Sequence, residues 1–176
     1  MGRLPNPKPV LIIDTREQHP FDFDGDDAFE AIEHIKLDQG DYSLKGLEHI
    51  VSIERKASAN ELYTNLSSRT FRERFYAEAK RLEERVKFRF IIVEQDCEDI
   101  FNPSSYAVNT MRRNKFSVYM PPAVVMEHLI CFMLQHNIHV LFAGSKAKSV
   151  AKKILLEVHD MHLKGQFDGI VAKKSD

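Results

Sequence analysis

There is no tryptophan in the 176 residues, and cysteine occurs only twice, at Cys97 and Cys131. Two thiols far apart, with no metal-type spacing between them, argue against a disulfide-stapled secreted framework and against zinc. A reduced, intracellular protein is expected, cytoplasmic or nuclear according to its source. Also missing is any window approaching the ~20 uninterrupted apolar residues that span a bilayer, and the start MGRLPNPKP has no signal-peptide core. No membrane association is expected. Nor is there an excess of one charge: the formal net charge is −1, so no whole-molecule field draws in nucleic acid.

What is present is ordinary globular material, 43% hydrophobic, enough for a single domain burying roughly 70% of its unfolded surface. Residues 9–164 are expected to form that domain's core, with short tails on either side. Charge is segregated along the chain. Residues 14–33 hold eight acids against the single base Arg16, whereas residues 69–89 hold eight bases against four acids. A polyanion beside an acidic, cation-holding pocket would fit this layout, and so would two ordinary solvated faces.

The apolar run PVLIID predicts a strand buried on both faces with Asp14 at its carboxyl end. TREQHPFDFDGDD reads as a loop. A short helix is expected over 28–34, then strands at 35–37 and 41–44, then HIVSIER as the next strand. Ser58 to Glu61 and Thr70 to Glu73 both fit a capping box and predict two helix starts. FRFIIVE is a buried-type strand, 96–121 is poorly patterned, and an apolar helix begins at PPAVV, followed by strand IHVLFAG and a helix from Ser145. Strands alternating with helices predict an α/β fold on one mixed sheet flanked by helices, with the early strands antiparallel because their connections look too short to cross over.

The charged end of HIVSIERK carries the chemistry. Asp41 opens one strand and Glu54 closes the next, so a hairpin brings the carboxylates together, and Lys56 shares the face of Glu54 two residues on. Asp14 can join them. Converging carboxylates repel each other and favour a divalent cation with oxygen ligands, Mg²⁺ or Mn²⁺. A neighbouring ammonium could orient water or stabilise a phosphoryl transition state. A surface salt-bridge network is the alternative reading.

The motifs IIDTRE, GDYSL, IERK and SSRTFRERFYAEAKRL, in this order and spacing, closely resemble the nuclease domain of the XPF family of structure-specific endonucleases, also called excision repair cross-complementation group four. That family belongs to the PD-(D/E)xK superfamily and has a restriction-endonuclease-like core. The resemblance implies a Mg-dependent endodeoxyribonuclease acting on branched DNA such as flaps, forks or junctions, in repair, recombination or replication. It implies Asp14, Asp41 and Glu54 as metal ligands, Lys56 beside the hydrolytic water, and Arg55 on phosphate or bracing the site. Glu17 becomes a further active-site residue, and Arg16, Arg69 and Arg72 DNA contacts. It further implies pairing into a homodimer or heterodimer through the C-terminal region, where the apolar helix lies. An inactive DNA-binding or dimerisation subunit is the other reading, because the family includes such partners. The family's acid after Glu-Arg-Lys is here Asn60, which implies reduced or retuned rather than absent activity. No tandem helix-hairpin-helix module is present, so a separate DNA-binding partner is expected.

Weaker signals complete the sequence. Asp22, Asp24, Asp26 and Glu33 mimic calcium-loop spacing, but Asp27 occupies the position that needs glycine. His159 and His162 form half of a metal pattern without its other half. Arg112, Arg113 and Lys115 are interleaved with aromatics, a mixture suited to single-stranded nucleic acid.

Overall fold

In the computed structural model, which describes residues 6–102 and 120–170, the fully apolar Val10–Ile13 forms strand β1 inside a six-stranded sheet. The other strands are β2 (Ala31–His34), β3 (Tyr42–Leu44), β4 (Val51–Lys56), β5 (Phe88–Val93) and β6 (His139–Phe142). Helices α1 (Ala59–Ser67) and α2 (Arg69–Arg85) join β4 to β5. A four-residue α3 (Glu98–Phe101) and α4 (Pro122–His136) precede β6, and α5 (Ala147–Leu163) ends the fold. The strand order is β2-β1-β3-β4-β5-β6. Pairs β1/β3 and β3/β4 are antiparallel, whereas β1/β2, β4/β5 and β5/β6 are parallel.

Strand alternation divides the apolar residues between two cores. Leu11, Ile13, Tyr42, Leu44, Val51 and Ile53 face α5 and the aromatics Phe21, Phe23 and Phe29. Ile91, Val93 and Val140 face α1, α2 and α4, where Phe75 and Phe132 stack with centroids 4.3 Å apart. No helix among the described residues is long and apolar enough to cross a membrane.

Several local expectations change. The segment expected as a helix over 28–34 turns and then forms β2, because β1 needs a partner on its open side: Ile35 N–H donates to Ile13 O, and Glu30 N–H to Pro9 O. Unpaired backbone groups on a buried strand would cost more than a short helix gains. The early strands are therefore not all antiparallel; β2 reaches its parallel place through a loop that Phe21, Phe23 and Phe29 anchor in the core. No strand forms at 35–37, since the Leu37 amide is taken by Asp14. Helix α1 starts as expected, with Ser58 Oγ accepting from Glu61 N–H at 3.3 Å. Helix α2 instead begins at Arg69, and Glu73 pairs with Arg69 rather than reaching back to a cap.

The basic stretch 69–89 is not one open face. Arg89 is buried and donates to the carbonyls of Glu83, Val86 and Asn137, tying the end of α2 to the left-handed cap of α4. Asp26 grips Lys152 on α5 at 2.7 Å, so part of the acidic loop is a staple rather than a cation loop. His159 contacts Pro7 O and His162 stacks on Phe167, and they do not form a metal half-site. Arg112, Arg113 and Lys115 lie outside the described residues.

Candidate active site

Gly40 explains the start of the central motif. Its φ is +76°, and a Cβ there would meet Ser52 Oγ at 2.1 Å, so the chain can press against β4 only without a side chain. Asp41 then bridges two strands through its backbone: its N–H donates to Ile53 O and its C=O accepts from Asp14 N–H, both at 2.8 Å. Because Tyr42 lies opposite Ile53, Asp41 comes alongside Glu54. Alternation puts Asp41, Glu54 and Lys56 on the sheet face that carries Ile91 and Val93.

Lys56 Nζ bonds Glu54 Oε1 at 2.7 Å. Burial works against the lysine's charge, but the pull of Glu54, their hydrogen bond and Asp41 outweigh it, so its pKa lies above the ordinary value. Asp41 has the opposite problem. Burial, then repulsion from Glu54, pushes its pKa up to about 7, against the lowering effect of the Arg55 N–H that donates to it at 2.6 Å.

Asp14 is compensated. One oxygen accepts from the N–H and Nε of Arg16, and the other from Arg16 Nη2 and the Leu37 N–H, at 2.6–2.9 Å. Its side chain is 1% exposed and that of Arg16 59%. The Arg16 hydrogen bonds hold its pKa below the usual carboxylate range despite its burial.

Arg55 leaves β4 on the opposite face. Its guanidinium stands over the Phe21 ring and pairs with Glu17 at 3.5 Å and with Glu94, so both acids brace it. Arg69 is exposed on α2 and paired with Glu73, whereas Arg72 donates to Leu66 O and closes the end of α1. Asn60 lies in the first turn of α1, one residue past Ala59.

The arrangement thus joins Asp41, Glu54 and Lys56 directly, engages Asp14 with Arg16, and sets Arg55 and Glu17 behind the sheet. Sequence reasoning missed Glu94. Its signal was the acid ending FRFIIVE, the same pattern that marked Asp14 at the end of PVLIID. It also missed a groove of about 350 Å³ running from Asp41 and Glu54 beneath α2. Among the described residues, no three His, Cys, Asp or Glu side chains form a ready-made metal cluster. The donor chemistry nonetheless fits a hard divalent ion. Asp41 and Glu54 offer carboxylate oxygens, and the strain between them, visible in Asp41, is what a cation relieves.

A family model described as the ERCC4 domain matches residues 13–152. The chain belongs to the ERCC4 domain family. This is a family of DNA-repair nuclease domains, and the match spans every residue of the carboxylate site from Asp14 to Lys56. Among solved structures, the ERCC4 domain is similar to XPF from Aeropyrum pernix, with a TM-score of 0.59 and 18% identity over 96% of this chain and 68% of that one. It is also similar to XPF from Aeropyrum pernix in complex with DNA, with a TM-score of 0.54 and 19% identity over 93% of this chain and 76% of that one. These likenesses establish the mixed α/β fold. No curated protein sequence matches.

Proposed function

We propose that this ERCC4 domain is a Mg²⁺- or Mn²⁺-dependent endonuclease that hydrolyses phosphodiester bonds in DNA, preferentially at branched sites such as flaps, forks or junctions. The observation that carries the reading is Asp41 beside Glu54, with the Lys56 ammonium bonded to Glu54, at the mouth of a groove. Asp41 and Glu54 would hold the ion, with Asp14 joining once Arg16 releases it and the Arg55 carbonyl as a further oxygen donor. A bound ion would supply Lewis-acid stabilisation of the charge that builds on the phosphoryl oxygens. Lys56, kept charged by Glu54 and Asp41, adds a fixed positive charge beside the attacked phosphate. Arg16, largely exposed, and Arg69 offer guanidinium groups to the DNA backbone, which position the strand without reading its sequence.

One observation favours a second reading, an inactive DNA-binding or dimerisation subunit: both oxygens of Asp14 are fully occupied by Arg16 and Leu37. In either reading a second subunit would cover α4, where Ile130 and Leu134 are 49% and 78% exposed. The test is incubation with labelled flap, fork and linear DNA, with and without Mg²⁺, for the wild type and Glu54→Gln. Metal-dependent nicking lost in the variant supports the nuclease; DNA binding without cleavage by either protein supports the silent subunit.

A further inference from the structure

The groove beside the carboxylates has a composition that phosphate recognition does not explain. Its floor is apolar, with Phe75, Ala79 and Leu82 from α2 and Phe132 and Ile138 from the α4 end of the second core. Its mouth is predominantly acidic: Asp38, Asp41, Glu54 and Glu78 stand there with Arg16 and Arg81. Arg16 is paired with Asp14, and Asp41 lies alongside Glu54. A phosphate passing beyond the ion held by Asp41 and Glu54 would meet Asp38 and Glu78 and an apolar floor that cannot hydrogen-bond it.

We infer that the groove receives the base of one unpaired nucleotide next to the scissile phosphate. This rests on the nuclease reading and names the part of the substrate that the same site selects. A nucleobase is uncharged, flat and apolar on its faces, which suits the Phe75 and Leu82 floor. Its edge carries amino and ring N–H donors, which suit the carboxylates and the Gln39 amide at the rim. At about 350 Å³ the space lies at the small end of ligand pockets and is ample for one base. Continuity fixes which base it is. The same groove is lined by Asp41 and Glu54, so its occupant belongs to the nucleotide whose phosphate reaches them. A fully paired duplex keeps that base stacked; a flap or fork presents it already free. The groove therefore supplies a local physical reason for selecting branched over linear DNA.

The test walks 2-aminopurine, one position at a time, through the strand around the branch point of a forked DNA, bound to the wild-type protein with Ca²⁺ in place of Mg²⁺. The chain has no tryptophan to interfere with the signal. At one position, adjacent to the phosphate cut when Mg²⁺ is restored, fluorescence should change sharply on binding, and neighbouring positions should not follow. An abasic nucleotide at that position should lower cleavage efficiency by about tenfold, the worth of one base contact. Ala79→Leu, which fills the floor, should abolish the fluorescence change; should that variant fail to fold, the abasic scan on the wild-type protein stands in its place. Cleavage with flat fluorescence and abasic scans would overturn the base pocket and leave the nuclease reading intact. Absence of both DNA binding and cleavage would overturn the two together.

Discussion

On one face of β4, Glu54 borders an open groove beside Asp41 and holds the Lys56 ammonium; on the other, Arg55 is held between Glu17 and Glu94 over the Phe21 ring. Three consecutive charged residues thus meet two different environments. The groove side leaves charge unbalanced, with Asp41 raised to about 7 by burial and Glu54. On the far side the Arg55 guanidinium is clamped between two carboxylates, so each of its charged groups has a partner. The proposed cation would relieve that imbalance, and the clamped side ties into it through the Arg55 backbone N–H that donates to Asp41.

The sharpest way to break this comparison is to exchange the outcomes on the two faces. Glu54→Gln and Lys56→Met should each lower DNA cleavage by about 10²–10³-fold, the usual loss when one charge-stabilising group is removed. Arg55→Met should instead leave Glu17 and Glu94 facing each other across an apolar gap. A loss on the order of 3 kcal/mol in urea unfolding is expected for an interrupted, largely buried pair. Glu94→Gln should cost only about 1 kcal/mol because that acid is partly exposed. An Arg55→Met protein of normal stability that no longer cleaves DNA would place Arg55 on the phosphate instead.

How this division was written in the sequence differs residue by residue. Asp41, Glu54 and Lys56 were legible because strand period two and a short hairpin suffice to bring them together. Glu94 was not, since its partnership depends on the parallel β4/β5 register, in which Lys56 lies opposite Val93, and no local pattern encodes register across a helical crossover. The β2 strand was hidden for a related reason: its four residues, Ala31 to His34, are all at least partly exposed with no alternation of burial, and only the open side of β1 decides their conformation. The groove needed the packing of α2 against α4, which apolar periodicity predicts for each helix separately but not for the pair.

The two neighbouring aspartates provide a comparison in pH. Asp41's folded pKa, about 7, lies above the ordinary aspartate value, so its contribution to stability is present below about pH 4 and is lost as pH rises through 7. Asp14, held low by Arg16, contributes above 3.8 and loses that contribution as pH falls below it. The metal-free protein should therefore lose stability between pH 4 and 7, and Asp41→Asn should flatten that slope. Added Mg²⁺ should displace the proton and reverse it, read as melting temperature against pH. A smaller effect is expected at Arg16. Arg16→Ala removes the guanidinium from both oxygens of Asp14, leaving each with one backbone N–H, so calorimetric Mn²⁺ binding without DNA should tighten by about tenfold, while KM for DNA rises. Unchanged metal affinity would mean that Asp14 has no share in the ion site.

Arg69 and Arg72 bring the same contrast to its smallest scale, on one turn of α2. Arg69 and its partner Glu73 are 86% and 65% exposed, so Arg69→Ala should change stability by no more than ~0.5 kcal/mol. Its whole effect should fall on DNA: weaker binding by a similar factor on every sequence, with the slope of log affinity against log salt reduced by about one. Arg72 is half-buried and spends one N–H on the Leu66 carbonyl. Arg72→Ala should cost about 1.5 kcal/mol in unfolding, the low end for a hydrogen bond from a charged donor because the side chain is only half-buried. Fluorescence anisotropy at several salt concentrations, run beside urea unfolding for both variants, separates the two roles. Equal salt slopes for Arg72→Ala and the wild type would show that its guanidinium serves the junction of α1 and α2 rather than the DNA, whereas a reduced slope would mean that the arginine leaves Leu66 when a phosphate arrives.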